Sequence, residues 1–270
     1  MTSLRHTLAR AAAPLALLLA AARPLPAQSS DPAIRGRDLA LLGGATLVTV
    51  GVMQLDSRIA RAFQDSSVQN VGALRDVARG FSLINEKSLA AAGFLGYVGS
   101  RVAHARTASD VSLHVTEAIV VSSTVGTLVR GVLGRSRPFV SADDDAFDFH
   151  YGKGFRELRY RAFPSIHSSA AFSTAAVIAT EMRLRNARHR RVITPLLYTI
   201  AAGPGLARMY GDKHWASDVF MGAALGTITG RRVASYSHGH PRNRIDRWLL
   251  GGDRVTLGTS GEFATISLRF

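Results

Sequence analysis

The chain has 270 residues, 47% of them hydrophobic, enough to bury a full core in one domain with at most a small appendage. A formal charge of +14 favours anionic partners, either phosphorylated small molecules or the phosphates of a lipid surface. No aromatic residues interleave with the basic clusters, so nucleic acid is not expected as a partner, and the absence of cysteine excludes disulfides, thiolate catalysis and thiolate metal sites.

In chain order, residues 1–27 come first, with Arg5 and Arg10 ahead of an apolar run over 11–22 and small residues up to Ala27. This pattern predicts an export signal, and the run is too short to span a bilayer comfortably. Its removal takes away three arginines and no acid, leaving a mature chain of +11. Residues 28–240 then alternate long Ala/Leu/Val/Gly-rich windows with charged connectors, which predicts an all-α body. Six helices are expected, at 37–55, 84–104, 111–134, 165–185, 190–207 and 214–233. Connector 56–83 has room for a short helix, and connector 138–163 is expected to be a loop at the rim of a pocket. Residues 241–270 change character: RVTLGTSGEFATISLRF predicts two short strands around Thr259-Ser260-Gly261, a hairpin appendage. Its alternation also resembles a final outer-membrane strand, but one hairpin cannot close a barrel.

Three fragments carry candidate chemistry. In LVRGVLGRSRPF, Arg130 and Arg137 lie two helical turns apart and are expected on one face of the third helix, where two guanidiniums suit phosphate oxygens. In FPSIHSSAAF, Pro164 and Ser165 open a helix whose unpaired N–H groups favour an anion, with His167 in the first turn placed to protonate a leaving oxygen. In GLARMYGDKHWASDVF, His214 and Asp218 share a face at i,i+4, so the carboxylate can orient the imidazole, and Arg208 precedes them by a stretch expected to be loop. Each fragment alone also reads blandly, as a solvated basic helix end, an N-cap and a capping pair.

Taken in order, the fragments read Arg-x6-Arg-Pro, Pro-Ser-x-His and Arg-x5-His-x3-Asp. This resembles the type 2 phosphatidic acid phosphatase superfamily, which includes bacterial nonspecific acid phosphatases and vanadium haloperoxidases, over about residues 111–233. The resemblance implies a six-helix bundle and a metal-independent phosphatase. It implies His214 as nucleophile forming a phosphohistidine, Asp218 as its orienting carboxylate and His167 as general acid. Arg130, Arg137, Arg208 and Ser165 would hold the phosphoryl oxygens, assisted by the Ile166 N–H. Three positions depart from the family pattern: Arg130 stands for lysine, Ala207 for serine, and Ile166 for a glycine, adding bulk beside the phosphate.

Phosphoryl transfer is mostly positioning and charge stabilisation, so no cofactor is expected; Asp143-Asp144-Asp145 with His150 read as a solvated acidic loop rather than a metal site. The exported protein is expected in the periplasm, soluble or membrane-associated. If the first segment is kept, the alternative is an integral inner-membrane protein whose site faces the periplasm, although only 39–55 and 162–180 approach a charge-free span. A vanadate-dependent haloperoxidase and a non-catalytic exported anion-binding protein are the rival functions.

Overall fold

The computed structural model describes residues 32–141 and 144–240, together with the backbone of 255–260 and 263–268. The expected export signal and its cleavage site lie outside these residues, as do Asp143 and Gly261. Between 32 and 240 the chain forms nine α-helices among the described residues: α1 Gly36–Met53, α2 Asp56–Gln64, α3 Ser66–Gln69, α4 Gly72–Ser82, α5 Glu86–Val102, α6 Arg106–Leu133, α7 Ile166–Leu184, α8 Arg190–Tyr210 and α9 Ala216–Gly239. Strands β1 Val255–Ser260 and β2 Phe263–Leu268 pair antiparallel, with Ser260 opposite Phe263.

The long helices fall on the six apolar windows, because those windows are bounded by residues that satisfy free backbone groups. Asn85 caps α5 by accepting from the Lys87 and Ser88 amides, and the Ser88 hydroxyl accepts from the Asn85 amide in return. Ser165 caps α7. Gly134 ends α6 at φ +59°, where a Cβ would lie 1.8 Å from the His150 carbonyl oxygen, so only glycine fits. Two expectations are corrected here. Arg137 lies beyond this glycine stop and not on the helix with Arg130, while the helix expected to end at 207 runs on to Tyr210, so Arg208 lies in its last turn. Connector 56–83 supplies three helices, not one, and connector 138–163 makes three short 3-10 turns.

Helix α7 is central, packed against α6, α8 and α9. Its seam with α9 is built from small residues. Gly222, Gly226 and Gly230 recur every fourth residue on α9, and a Cβ at each would come within 2.2, 2.1 and 2.5 Å of the carbonyl oxygens of Ser165, Ser169 and Ser173 on α7. The three glycines thus let the backbones touch and fix the start of α7 against the start of α9. An apolar cluster of Val115, Ala118 and Ile119 from α6, Ala170 and Val177 from α7 and Ala234 from α9 continues the core.

The outer faces are also apolar. Val121, Val125, Leu128 and Val132 form an exposed stripe along α6, and Val192, Leu196 and Ile200 another along α8; Leu47 on α1 is 76% exposed. Helices α1 and α6 are long and apolar enough to cross a membrane. The first agrees with the window at 39–55, but the second falls on α6 and not on 162–180, whose helix α7 is spent on the core.

Candidate active site

The ends of α6 and α8 and the starts of α7 and α9 bring the three motif fragments together. The His167 and His214 rings stand 6.3 Å apart between centroids, tilted by 57°. His214 sits in the turn before α9 with its side chain fully buried. Its Nε2 faces Arg130 Nη2 at 3.3 Å, while Arg130 Nε donates to the Pro164 carbonyl at 2.7 Å, fixing that guanidinium at the start of α7. Burial and the charges of Arg130, Arg137 and Arg208 push His214 well below the ordinary imidazole range, so the ring is neutral. Arg137 is also lowered, by burial first and by Arg208 beside it second. Buried Nε atoms of Arg137 and Arg208 have no hydrogen-bond partner among the described residues. Three like charges converging on one spot, two with unused donors, make a site for a tetrahedral oxyanion.

Ser165 is fully buried as the N-cap of α7, bonded through its hydroxyl to Ser168, and its own amide donates to the Asp218 carbonyl at 2.9 Å. That bond ties the two site helices together at their starts. Ile166, placed by its sequence beside the phosphate, directs its Cγ2 against α6 at Gly126, where a Cβ would lie 2.9 Å from it. The bulk that replaces the family glycine is accommodated in a notch that a second glycine opens.

Asp218 lies within ion-pair reach of His214, Oδ2 to Nδ1 at 3.4 Å, longer than the roughly 2.7–3.2 Å of a formed N–H···O bond. Its short bonds go elsewhere: Oδ2 accepts from the Trp215 amide at 2.8 Å and Oδ1 from Arg135 Nη1 at 2.5 Å. Arg135 is itself fully buried and donates through Nη2 to Asp56 Oδ2 at 2.8 Å and through Nε to the Ala146 carbonyl at 2.9 Å. Asp56 accepts from both the amide and the hydroxyl of Ser217. One guanidinium between two carboxylates therefore anchors Asp218.

Sequence reasoning missed this second tier. Arg135 stood between the two quoted arginines, and Asp56 belongs to a connector with no motif. Glu86 was missed as well: from the first turn of α5 its Oε2 reaches to 3.7 Å from His167 Nε2, and its charge acts on Arg130 and Arg208. Only partner distances could have revealed these residues, since no spacing rule links positions 56 or 86 to 214. The acidic loop does other work. Asp144 pairs with Arg61 at 2.8 Å, Asp145 caps the Phe147 amide, and His150 pairs with Asp148 at 2.9 Å. A cavity of about 720 Å³ lined by His104, Arg106, Thr107 and Ser112 lies at the α5–α6 turn, the opposite end of α6 from Arg130.

The chain is similar to known proteins. A family model described as the PAP2 superfamily matches residues 112–242. A lipid A 1-phosphatase of Porphyromonas gingivalis is 35% identical over 69 residues, 26% of this chain and 15% of the relative's own length. The crystal structure of a transmembrane PAP2-type phosphatidylglycerolphosphate phosphatase from Bacillus subtilis superposes with a TM-score of 0.58 at 19% identity, over 77% of this chain and 98% of that one.

Proposed function

We propose, from the premise that the chain belongs to the PAP2 superfamily through residues 112–242, that the protein is a phosphoric ester hydrolase acting on a lipid-linked phosphate or diphosphate at a membrane surface. The observation that carries the reading is the convergence of three guanidiniums, two of them with unused Nε donors, on a buried neutral imidazole whose Nε2 faces Arg130. In the proposed mechanism the substrate phosphoryl group sits among Arg130, Arg137 and Arg208, with Ser165 and the Ile166 amide at the start of α7 completing the cradle. His214 Nε2 attacks phosphorus, the bond to the leaving oxygen breaks, and His167 gives that oxygen its proton. Water then attacks the phosphohistidine, His167 takes a proton from it, and phosphate leaves with His214 neutral again. Asp218, held by Arg135 and Trp215, keeps the imidazole in register as charge develops on it. The six long helices are proposed to form the family's bundle, with the β1–β2 pair as an appendage.

Lipid substrate and membrane association are supported by the exposed apolar stripes of α6 and α8 and by two helices of membrane-crossing length. They are supported too by the activities for which the two similar proteins are named, both lipid phosphatases. Because α1 and α6 leave their apolar faces uncovered, the integral form is favoured over the soluble periplasmic form expected from the sequence. The site faces the compartment that holds the starts of α7 and α9, proposed to be the periplasm.

Hydrolysis of p-nitrophenyl phosphate and of a phosphatidic acid in mixed micelles, by wild type and His214→Ala, tests the reading. The variant is expected to lose activity by at least about 10³-fold, with the wild type unaffected by EDTA. Equal rates for the two proteins would leave only an anion-binding role, and loss of all activity in chelator, restored by magnesium, would contradict the metal-independent step.

A further inference from the structure

Three of the four helices that build the proposed catalytic pocket carry a second polar cluster at their other ends. His114 near the start of α6, Glu181 near the end of α7 and His238 at the end of α9 meet there, about 24 Å along α6 from Arg130 at ~1.5 Å of rise per residue. His114 Nδ1 lies 2.7 Å from Glu181 Oε1 and His238 Nε2 lies 2.8 Å from Glu181 Oε2. The two imidazole rings stand at 64° with centroids 6.1 Å apart, and all the potential ligand atoms fall within 4.8 Å of one another. His114 and Glu181 are buried, whereas the His238 side chain is 32% exposed, so the cluster opens to solvent on one side. Neither the phosphatase mechanism nor the three motifs uses these residues.

We infer that His114, Glu181 and His238 form a three-ligand site for a zinc-class divalent ion, which pins the ends of α6, α7 and α9 remote from the catalytic pocket. Two imidazole nitrogens and a carboxylate with one open position is a ligand set that zinc accepts at about 2.0–2.2 Å, tetrahedral once a water fills the open side. Seating the ion requires each ring to draw back from the carboxylate by roughly 0.6–0.7 Å, since neighbouring tetrahedral ligands are about 3.4 Å apart at those bond lengths. The histidine nitrogens give up the protons they share with Glu181, either to their other ring nitrogens or to solvent. Arg185 also bonds Glu181 Oε2, at 3.0 Å, and would oppose a cation if its charge stood alone. It does not, because Asp110 pairs with Arg185 at 2.8 Å. The Arg185–Asp110 pair is therefore neutral as a unit and holds the carboxylate in place from behind, as hydrogen bonds to ligating carboxylates do.

The test is independent of the phosphatase reading. Full-length protein without a histidine tag is stripped with chelator and titrated with Zn²⁺ by calorimetry, and separately with Co²⁺ while visible absorption is recorded. Wild type is expected to take up one equivalent saturably, with d–d bands of a four- or five-coordinate ion, and to gain thermal stability. His238→Ala, whose ring is partly exposed and whose loss should leave the fold intact, is expected to weaken binding by at least about 10-fold and to lose the bands. His214→Ala is expected to bind as wild type does, which separates this site from the catalytic histidines. No saturable equivalent in the wild type, or equal affinity in wild type and His238→Ala, overturns the inference and leaves the cluster as a hydrogen-bonded ion group.

Discussion

His214 is buried beside three guanidiniums, and its proton affinity, lowered for that reason, sets two pH dependences. In the unfolded chain an imidazole titrates near about 6.5, so as pH falls below that value the unfolded state binds a proton that the native ring refuses. The ring's contribution to stability is therefore complete above about pH 6.5 and is lost progressively as pH falls, down to the lowered native value. In the proposed mechanism the same depression keeps His214 neutral in mild acid. The acid limb of kcat/KM, corrected for the substrate's own second ionisation near about pH 6, is expected well below pH 6.5. An acid limb at about 6.5, absent from a His214 variant with residual activity, would show that the arginines do not act on the ring as described. Glu86 makes the complementary prediction. Burial first, and then the charge of Arg208, push the His167 imidazole down to about 2, and Glu86 is the carboxylate that faces it at 3.7 Å and opposes those charges. Glu86→Gln is expected to slow alkyl and lipid phosphates, whose leaving oxygens need the proton, by about 10- to 100-fold, and to spare p-nitrophenyl phosphate, whose phenolate leaves without one. Equal losses on both substrates, without rescue by Glu86→Asp, would reduce Glu86 to a structural residue.

Between elements, two contacts decide the geometry. Arg135 joins α2 to α9 through Asp56 and Asp218, all three fully buried. Removing the guanidinium leaves two carboxylates uncompensated, so Arg135→Met is expected to cost about 3–5 kcal/mol in denaturant unfolding and to cut kcat even at temperatures where the variant stays folded. A loss of stability below about 1 kcal/mol would show that the aspartates find other partners. The glycine seam makes a steric prediction. Gly226→Ala drives a Cβ to 2.1 Å from the Ser169 carbonyl and is expected to destabilise by about 1–3 kcal/mol, whereas Gly99→Ala, with nothing within 4 Å, serves as the neutral comparison. The six long helices were legible because apolar windows between capping residues are local signals. The three helices of 56–83 were not, because polar amphipathic segments take their helicity from neighbours. The positions of Arg137 and Arg208 were misjudged for a local reason too: the αL conformation of Gly134 ends α6 early, and α8 continues through Arg208 despite Pro195 and Pro204 within it.

At the scale of the whole molecule, the three motifs lie within the part of the chain that the family model matches, and the N-terminal part carries none. Asp56 and Glu86 lie outside residues 112–242, yet one is tied through Arg135 to Asp218 and the other faces His167. Pairing across 79 to 161 residues leaves no periodic trace, which is why spacing singled out Arg130, His167 and His214 but not the groups that pack against them. The exposed apolar stripes were equally hidden, since composition alone cannot say which hydrophobic side chains the core consumes. Carbonate extraction of membranes is expected to leave the protein in the pellet, and its release to the supernatant would return the soluble periplasmic reading.

The central claim is that His214 becomes phosphorylated within a cradle of three arginines. Rapid mixing with a dialkyl pyrophosphate or phosphatidic acid, followed by quenching in base, where phosphohistidine survives, and mass spectrometry of the digested chain, tests it directly. One phosphoryl group on the peptide holding His214, gone in His214→Ala and formed more slowly in Arg208→Ala, is the predicted result. A phosphoryl group on another residue, or turnover in full with none detected at any time, would contradict the account.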